Sequence, residues 1–223
     1  MPPHALIISH GQPSEPAVGE AEIARLAQEV NDHLPDWRIA GASLSSEGTL
    51  EAAARAAPDG ALVYPMFMAD GWFTQTVLPR RLTGTNLRIL PPFGTDPGLV
   101  AVAAREIRRQ GAPNNKVFLA GHGSGKSPRP AKVTRNFAQS LAAKLGTEVR
   151  CGFVEEAPFL ADVAKGMAQG AVCLPFFATR RGHVLDDIPK ALNEADFQGP
   201  LLDPIGCLPE IPAFIAASLR RAV

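Results

Sequence analysis

Short runs of apolar, β-favouring residues alternate along this chain with longer stretches in which apolar residues return every three or four positions, and the whole alternation occurs twice. In the first half it predicts strands at 4–8, 38–44, 61–68 and 88–91. A helix carries Ile23, Leu26, Val30 and Leu34 on one face, and further helices fall near 50–57 and at 99–109. In the second half it predicts strands at 116–120, 148–154, 171–177 and 201–205. The helices there run over 130–145, with Val133, Phe137, Leu141 and Leu145 in one stripe, after 154 with Pro158 in the first turn, and over 186–195 and 211–221. Strands alternating with helices at this spacing predict βαβ units and parallel sheets. Because the crossovers of such sheets are right-handed, all strands point one way and their carboxyl ends open onto a common rim.

The two halves are one design written twice. Leu6-Ile7-Ile8-Ser9-His10-Gly11 returns 112 residues later as Phe118-Leu119-Ala120-Gly121-His122-Gly123, and Pro92-Phe93-Gly94 returns at the same offset as Pro204-Ile205-Gly206. Tyr64-Pro65-Met66-Phe67 returns at an offset of 110 as Leu174-Pro175-Phe176-Phe177. The expected architecture is α/β: two similar βαβ-repeat halves related by a pseudo-twofold, each a four-stranded, mainly parallel sheet with helices on both faces. The halves span 1–111 and 112–223, with a short Gly/Pro/Asn linker at 110–115.

Charge and cysteine content narrow the partners. Lys plus Arg equals Asp plus Glu at 22 each among 223 residues, so no broad positive field holds nucleic acid or an anionic membrane surface. No apolar run reaches membrane-spanning length, and Met1-Pro2-Pro3-His4 lacks the basic and apolar segments of a leader. Cys151, Cys173 and Cys207 form an odd set without a close pair, which reads as thiols in a reducing compartment. The expectation is a cytoplasmic protein acting on a small molecule, monomeric or weakly homo-oligomeric, since two fused copies replace a homodimer of single ones.

Polar residues at the strand ends carry the candidate chemistry. His122 ends the first strand of the second half between Gly121 and Gly123, Glu155 ends the second, and His183 lies in the loop after the third. Two imidazoles and one carboxylate meeting at one edge suit a divalent transition metal. In the first half His10 still matches His122, but Ser45 stands at the position of Glu155 and Phe73 at that of His183. The shared apolar frame without the shared ligands points to a single working site in the second half. Alternatives stay open at several positions. Glu156 could take the role of Glu155, since alternation along a strand turns only one of them to the site. His10 reads equally as a structural residue, and Arg180, Arg181, Arg80 and Arg81 read either as solvated charges or as partners of substrate carboxylates.

Two other chemistries share parts of this pattern. Ala120-Gly121-His122-Gly123-Ser124-Gly125-Lys126-Ser127 fits a loose phosphate-loop pattern, which would make the protein a nucleotide-dependent phosphotransferase. Against it, Ser127-Pro128-Arg129-Pro130 is expected to bend the chain into extended geometry where a phosphate loop enters its helix, and the first half has no Gly-Lys-Ser. A phosphohistidine nucleophile at His122 would want an arginine immediately before it, and that residue is Gly121.

The His-Gly-Ser after strand one, Phe153-Val154-Glu155-Glu156-Ala157-Pro158, and Leu174-Pro175-Phe176-Phe177 followed by Gly182-His183-Val184 and Asp187-Ile188-Pro189 together resemble the class II tetrapyrrole chelatases, the sirohydrochlorin cobaltochelatase and ferrochelatase family. The resemblance covers nearly the whole chain, more closely in the second half. It implies ATP-independent insertion of Co²⁺ or Fe²⁺, as substrate, into a tetrapyrrole such as sirohydrochlorin, for cobalamin or siroheme synthesis, with no permanently bound cofactor. Position by position it implies His122, His183 and Glu155 as catalytic and metal-binding residues. His10, Gly123, Ser124, Trp72, Phe73, Arg180 and Arg181 follow as substrate contacts, with Met68 a further apolar candidate. A tetrapyrrole or metal carrier without turnover is the rival reading.

Overall fold

The computed structural model describes residues 2–110, 116–167 and 170–223. The expected linker at 110–115 therefore lies, but for Gln110, outside the described residues. The first sequence repeat begins with β1 (His4–Ser9), α1 (Pro16–Asp32), β2 (Arg38–Ser43), α2 (Thr49–Ala56) and β3 (Leu62–Pro65), followed by a π-turn (Phe73–Val77), α3 (Leu78–Arg81), the two-residue β4 (Arg88–Ile89) and α4 (Leu99–Arg109). The second repeats the order with β5 (Lys116–Gly121), α5 (Arg129–Leu145), β6 (Val149–Phe153), α6 (Leu160–Lys165), β7 (Ala171–Pro175), a 3₁₀ turn (Gly182–Val184), α7 (Asp187–Glu194) and α8 (Ile211–Arg221). Two parallel sheets result, ordered β2-β1-β3-β4 and β6-β5-β7.

The central strands are apolar on both sides because helices cover both faces. In the first sheet Leu6, Ile8 and Val63 pack with Leu50 and Ala54 of α2 and Leu78 of α3, while the intervening Ile7 is equally buried. In the second, Phe118, Ala120 and Cys173 pack with Leu160 and Ala164 of α6 and Ile188, Ala191 and Leu192 of α7. Along α1 the buried stripe is Ile23, Ala27 and Val30. Leu26 sits at its margin, because the small Ala27 rather than the larger Leu26 is the residue that meets the sheet.

Three local expectations are corrected. Pro158 does not open a helix: its carbonyl accepts the Phe153 N–H at 2.9 Å, Phe159 is extended (φ −73°, ψ 157°), and α6 starts at Leu160. Extended pairing beside the end of β6 takes precedence over the helix-start preference of proline. The fourth strand of the second sheet shrinks to a single bridge between Leu201 and Cys173. Cys173 donates to Pro200 and Leu202 donates back to Cys173, both at 2.9 Å, but Pro204 has no N–H with which to continue. Finally, Pro128 takes helical backbone (φ −74°, ψ −9°), so α5 follows the Gly-rich segment directly. The bend into extended geometry expected from Ser127–Pro130 does not occur.

The sequence repeats and the compact units differ at the closing helices. One unit comprises residues 1–94 with 209–223, the other 95–208. Each unit thus completes itself with the last helix of the other repeat: α8 packs on α1, and α4 on α5. The clasp is duplicated, with Arg220 donating to the His33 carbonyl at 2.9 Å and Arg108 to the Lys144 carbonyl at 2.8 Å. The turn before each exchange is also duplicated. Gly94 donates to Phe67 and Gly206 to Phe177 at 2.9 and 3.0 Å, and a Cβ on either glycine would stand 2.2 Å from a carbonyl oxygen, of Met68 or Ala178. Only glycine allows that approach.

Two outcomes are expected. Gly206→Ala forces backbone against backbone and lowers unfolding free energy by about 1–3 kcal/mol, measured by denaturant titration; unchanged stability would refute the close approach. Burial raises the Cys151 thiol to about 11 and pushes that of Cys173 up further still, whereas Cys207 is exposed. Since only the thiolate alkylates, iodoacetamide at neutral pH labels Cys207 alone in the folded protein, as read by peptide mass spectrometry.

Candidate metal centre

The parallel register of the second sheet brings the three expected ligands together. Gly121 pairs with Phe153 and Ala120 with Pro175, so the residues beyond β5, β6 and β7 leave the sheet at one edge. The ladder runs a little past the strands: Val154 donates to Gly121 at 3.1 Å and Glu155 to the His122 carbonyl at 3.0 Å, which fixes Glu155 beside His122 through the backbone. One donor atom each from His122, Glu155 and His183 lie within 4.8 Å of one another. The two imidazole rings are 4.7 Å apart and nearly perpendicular, and Glu155 Oε2 is 3.9 Å from His122 Nδ1. These side chains keep 44 %, 47 % and 39 % of their surface for His122, Glu155 and His183, so an ion reaches them from solution.

Both imidazoles have one nitrogen committed. His122 Nδ1 lies 2.9 Å from the Gly123 carbonyl and His183 Nδ1 lies 2.6 Å from Asp187 Oδ2. A carbonyl and an ionised carboxylate only accept, so Nδ1 carries the hydrogen in each ring and Nε2 keeps its lone pair. Three protein donors would leave further coordination positions of an ion open.

Glu156 takes a separate part. Its Oε1 accepts the Ser124 N–H at 2.8 Å, and Arg135, stacked over the Phe153 ring, stands 3.9 Å from its Oε2. In the bend beyond β6, Glu155 thus turns to the histidines and Glu156 to the loop that follows His122. Gly123 has φ +69°, and a Cβ there would come within 2.9 Å of both Phe153 and Glu156. The loop is a braced turn. A phosphate loop needs its backbone N–H groups free for an anion, and here a carboxylate holds that of Ser124. Asp187 and the loop-bracing role of Glu156 were not assigned from sequence; the visible signal for Asp187 was its i, i+4 spacing from His183 at the start of a predicted helix.

The first unit repeats the frame without the ligands. His10 Nδ1 lies 2.9 Å from the Gly11 carbonyl, Ser45 donates to the His10 carbonyl at 3.0 Å, and Gly11 has φ +71° with Ser45 Oγ 2.0 Å from where a Cβ would be. Phe73 presents its ring perpendicular to His10 at 4.4 Å, much as His183 does to His122. Trp72, 66 % exposed, stands edge-on to Phe73 at 5.0 Å. His10, Phe73 and Trp72 thus form an aromatic cluster at the carboxyl edge of the first sheet.

The arginines divide. Arg81 is structural: it holds both oxygens of Glu51 at 2.6 and 2.8 Å and donates to the Leu44 carbonyl at 2.8 Å, and its guanidinium keeps the Glu51 carboxyl below the usual range. Arg180 pairs with Asp203. Arg181 immediately precedes the 3₁₀ turn that carries His183.

The CbiX family model matches the chain twice, over residues 4–110 and 116–222. No curated protein sequence matches significantly. Among solved structures, a CbiX described as the terminal enzyme for biosynthesis of siroheme in denitrifying bacteria is 44 % identical, covers 99 % of both chains and superposes with a TM-score of 0.87. SirB from Bacillus subtilis, determined with Fe³⁺, is 18 % identical, with a TM-score of 0.80 over 99 % of this chain and 95 % of that one. DR2241 from Deinococcus radiodurans, a multi-domain protein with structural similarity to chelatases, is 21 % identical, with a TM-score of 0.73 over 98 % of this chain and 54 % of that one. SirB and DR2241 share the fold. The family model, covering almost every residue in two copies, establishes that this chain belongs to the CbiX family of class II tetrapyrrole chelatases.

Proposed function

We propose that this chain inserts a divalent metal, Fe²⁺ or Co²⁺, into a sirohydrochlorin-type tetrapyrrole without ATP, and that His122, His183 and Glu155 carry the reaction. The observation that supports this most is the convergence of two imidazoles and one carboxylate within 4.8 Å, with Nδ1 of each ring already engaged. The description of the 44 %-identical relative as an enzyme of siroheme biosynthesis supports iron as the metal delivered.

Metallation removes two pyrrole protons while a partly dehydrated cation is presented to the ring. Nε2 of either imidazole serves both needs, as a donor to borderline divalent metals and as an acceptor of a proton. Glu155 adds the negative charge that holds the ion before transfer. With three exposed donors the hold is weak enough to release the metal to four pyrrole nitrogens. Arg181 is the proposed contact for a ring carboxylate, and Gly123 and Ser124 let the macrocycle approach His122.

His122→Ala and His183→Ala are each expected to slow Fe²⁺ and Co²⁺ insertion into sirohydrochlorin by about 10²-fold or more, followed by visible absorbance, with far-ultraviolet circular dichroism unchanged. Wild-type rates in both variants would eliminate the site. Stoichiometric ligand binding by the wild-type protein with no metallated product would identify a carrier instead.

A further inference from the structure

Asp187, the first residue of α7, directs its carboxylate back at the turn carrying His183, with Oδ2 2.6 Å from His183 Nδ1. Its side chain is 47 % exposed and makes this contact with the imidazole. The duplication separates two kinds of histidine anchor. The backbone anchor, Nδ1 to the following glycine carbonyl, is present in both units, at His122 and at His10, and therefore belongs to the frame. The carboxylate anchor is present only where there is a second histidine: 110 residues earlier Phe73 stands for His183 and Val77 for Asp187. An acid in a first turn also favours a helix, but Val77 leads into α3 without one, and α7 retains Asp186 immediately before its first residue when Asp187 is removed.

We propose that Asp187 is a positioning residue for metal capture: by accepting the Nδ1 hydrogen of His183 it locks the ring's rotation and tautomer, leaving Nε2 as the nitrogen offered to the ion. This rests on the reading of His183 as a metal ligand. A carboxylate behind a ligating imidazole fixes its orientation and strengthens it as a donor, and loss of such a partner weakens metal binding by about 10–100-fold. Asparagine, which still accepts from Nδ1 but carries no charge, retains part of the effect, whereas leucine of similar size retains none.

The test titrates Co²⁺ alone into wild type, Asp187→Asn, Asp187→Leu, His122→Ala, His183→Ala and the double variant His183→Ala/Asp187→Leu, reading affinity by calorimetry and ligand field by visible absorption. Fold integrity is followed by circular dichroism. Expected are a roughly 10–100-fold loss of affinity in Asp187→Leu, a smaller loss in Asp187→Asn, an altered Co²⁺ spectrum in both, and a double variant no weaker than His183→Ala. Wild-type affinity and spectrum in both Asp187 variants, with His183→Ala impaired, would overturn this inference and leave the metal site standing. Equal additive losses in the double variant would also overturn it, because Asp187 would then act apart from His183. Undiminished binding in His183→Ala and His122→Ala would instead refute the metal site itself. If Asp187→Leu loses its fold, the Asp187→Asn spectrum and affinity decide alone.

Discussion

The parallel ladder of β5 with β6 and β7 is the constraint on which the site depends. Parallel pairing turns three chain segments the same way, so residues far apart in sequence leave the sheet at one edge. Hydrogen bonds beyond the strands carry the registration to the candidate ligands, Glu155 being held to the His122 carbonyl by its own N–H. The glycine at 123, in left-handed backbone between Phe153 and Glu156, completes the turn that a side chain would block. Main-chain geometry thus brings the candidate ligands to one edge, and side-chain contacts from Glu156 and Asp187 then brace the loop after His122 and the ring of His183.

The first unit acts as an internal control for that division. It preserves the ladder to the strand-one histidine, the left-handed glycine and the perpendicular ring against the histidine. It replaces Glu155 by Ser45, His183 by Phe73 and Asp187 by Val77. What it lacks are the second imidazole and the two carboxylates, of Glu155 and Asp187, that the second unit gathers around His122 and His183. The same frame therefore folds without counterparts of Glu155 and His183, which is why truncating those residues should alter chemistry more than stability.

Most of the strands and longer helices were legible because their apolar periodicity is unambiguous; α4 and α8 begin and end where the pattern placed them. The meeting of His122, Glu155 and His183 was legible because parallel topology, once inferred, dictates which ends converge. What escaped the sequence depended on pairing or tertiary exchange. Pro158 has a good helix-start preference, but its carbonyl is taken by β6. Pro204 truncates a strand after one bridge. The exchange of α4 and α8 between units leaves no mark in a repeat pattern that continues smoothly through it. Asp187 was passed over because an acid at a helix start already has an ordinary explanation.

The central claim is that a divalent ion is held by two imidazoles supplied by the second unit alone. Cobalt K-edge X-ray absorption on the Co²⁺-loaded protein tests it most directly. Two imidazoles in the outer-shell scattering, falling to one in His122→Ala and one in His183→Ala, is the predicted result. A spectrum with oxygen scattering only, or one that neither substitution changes, would contradict it.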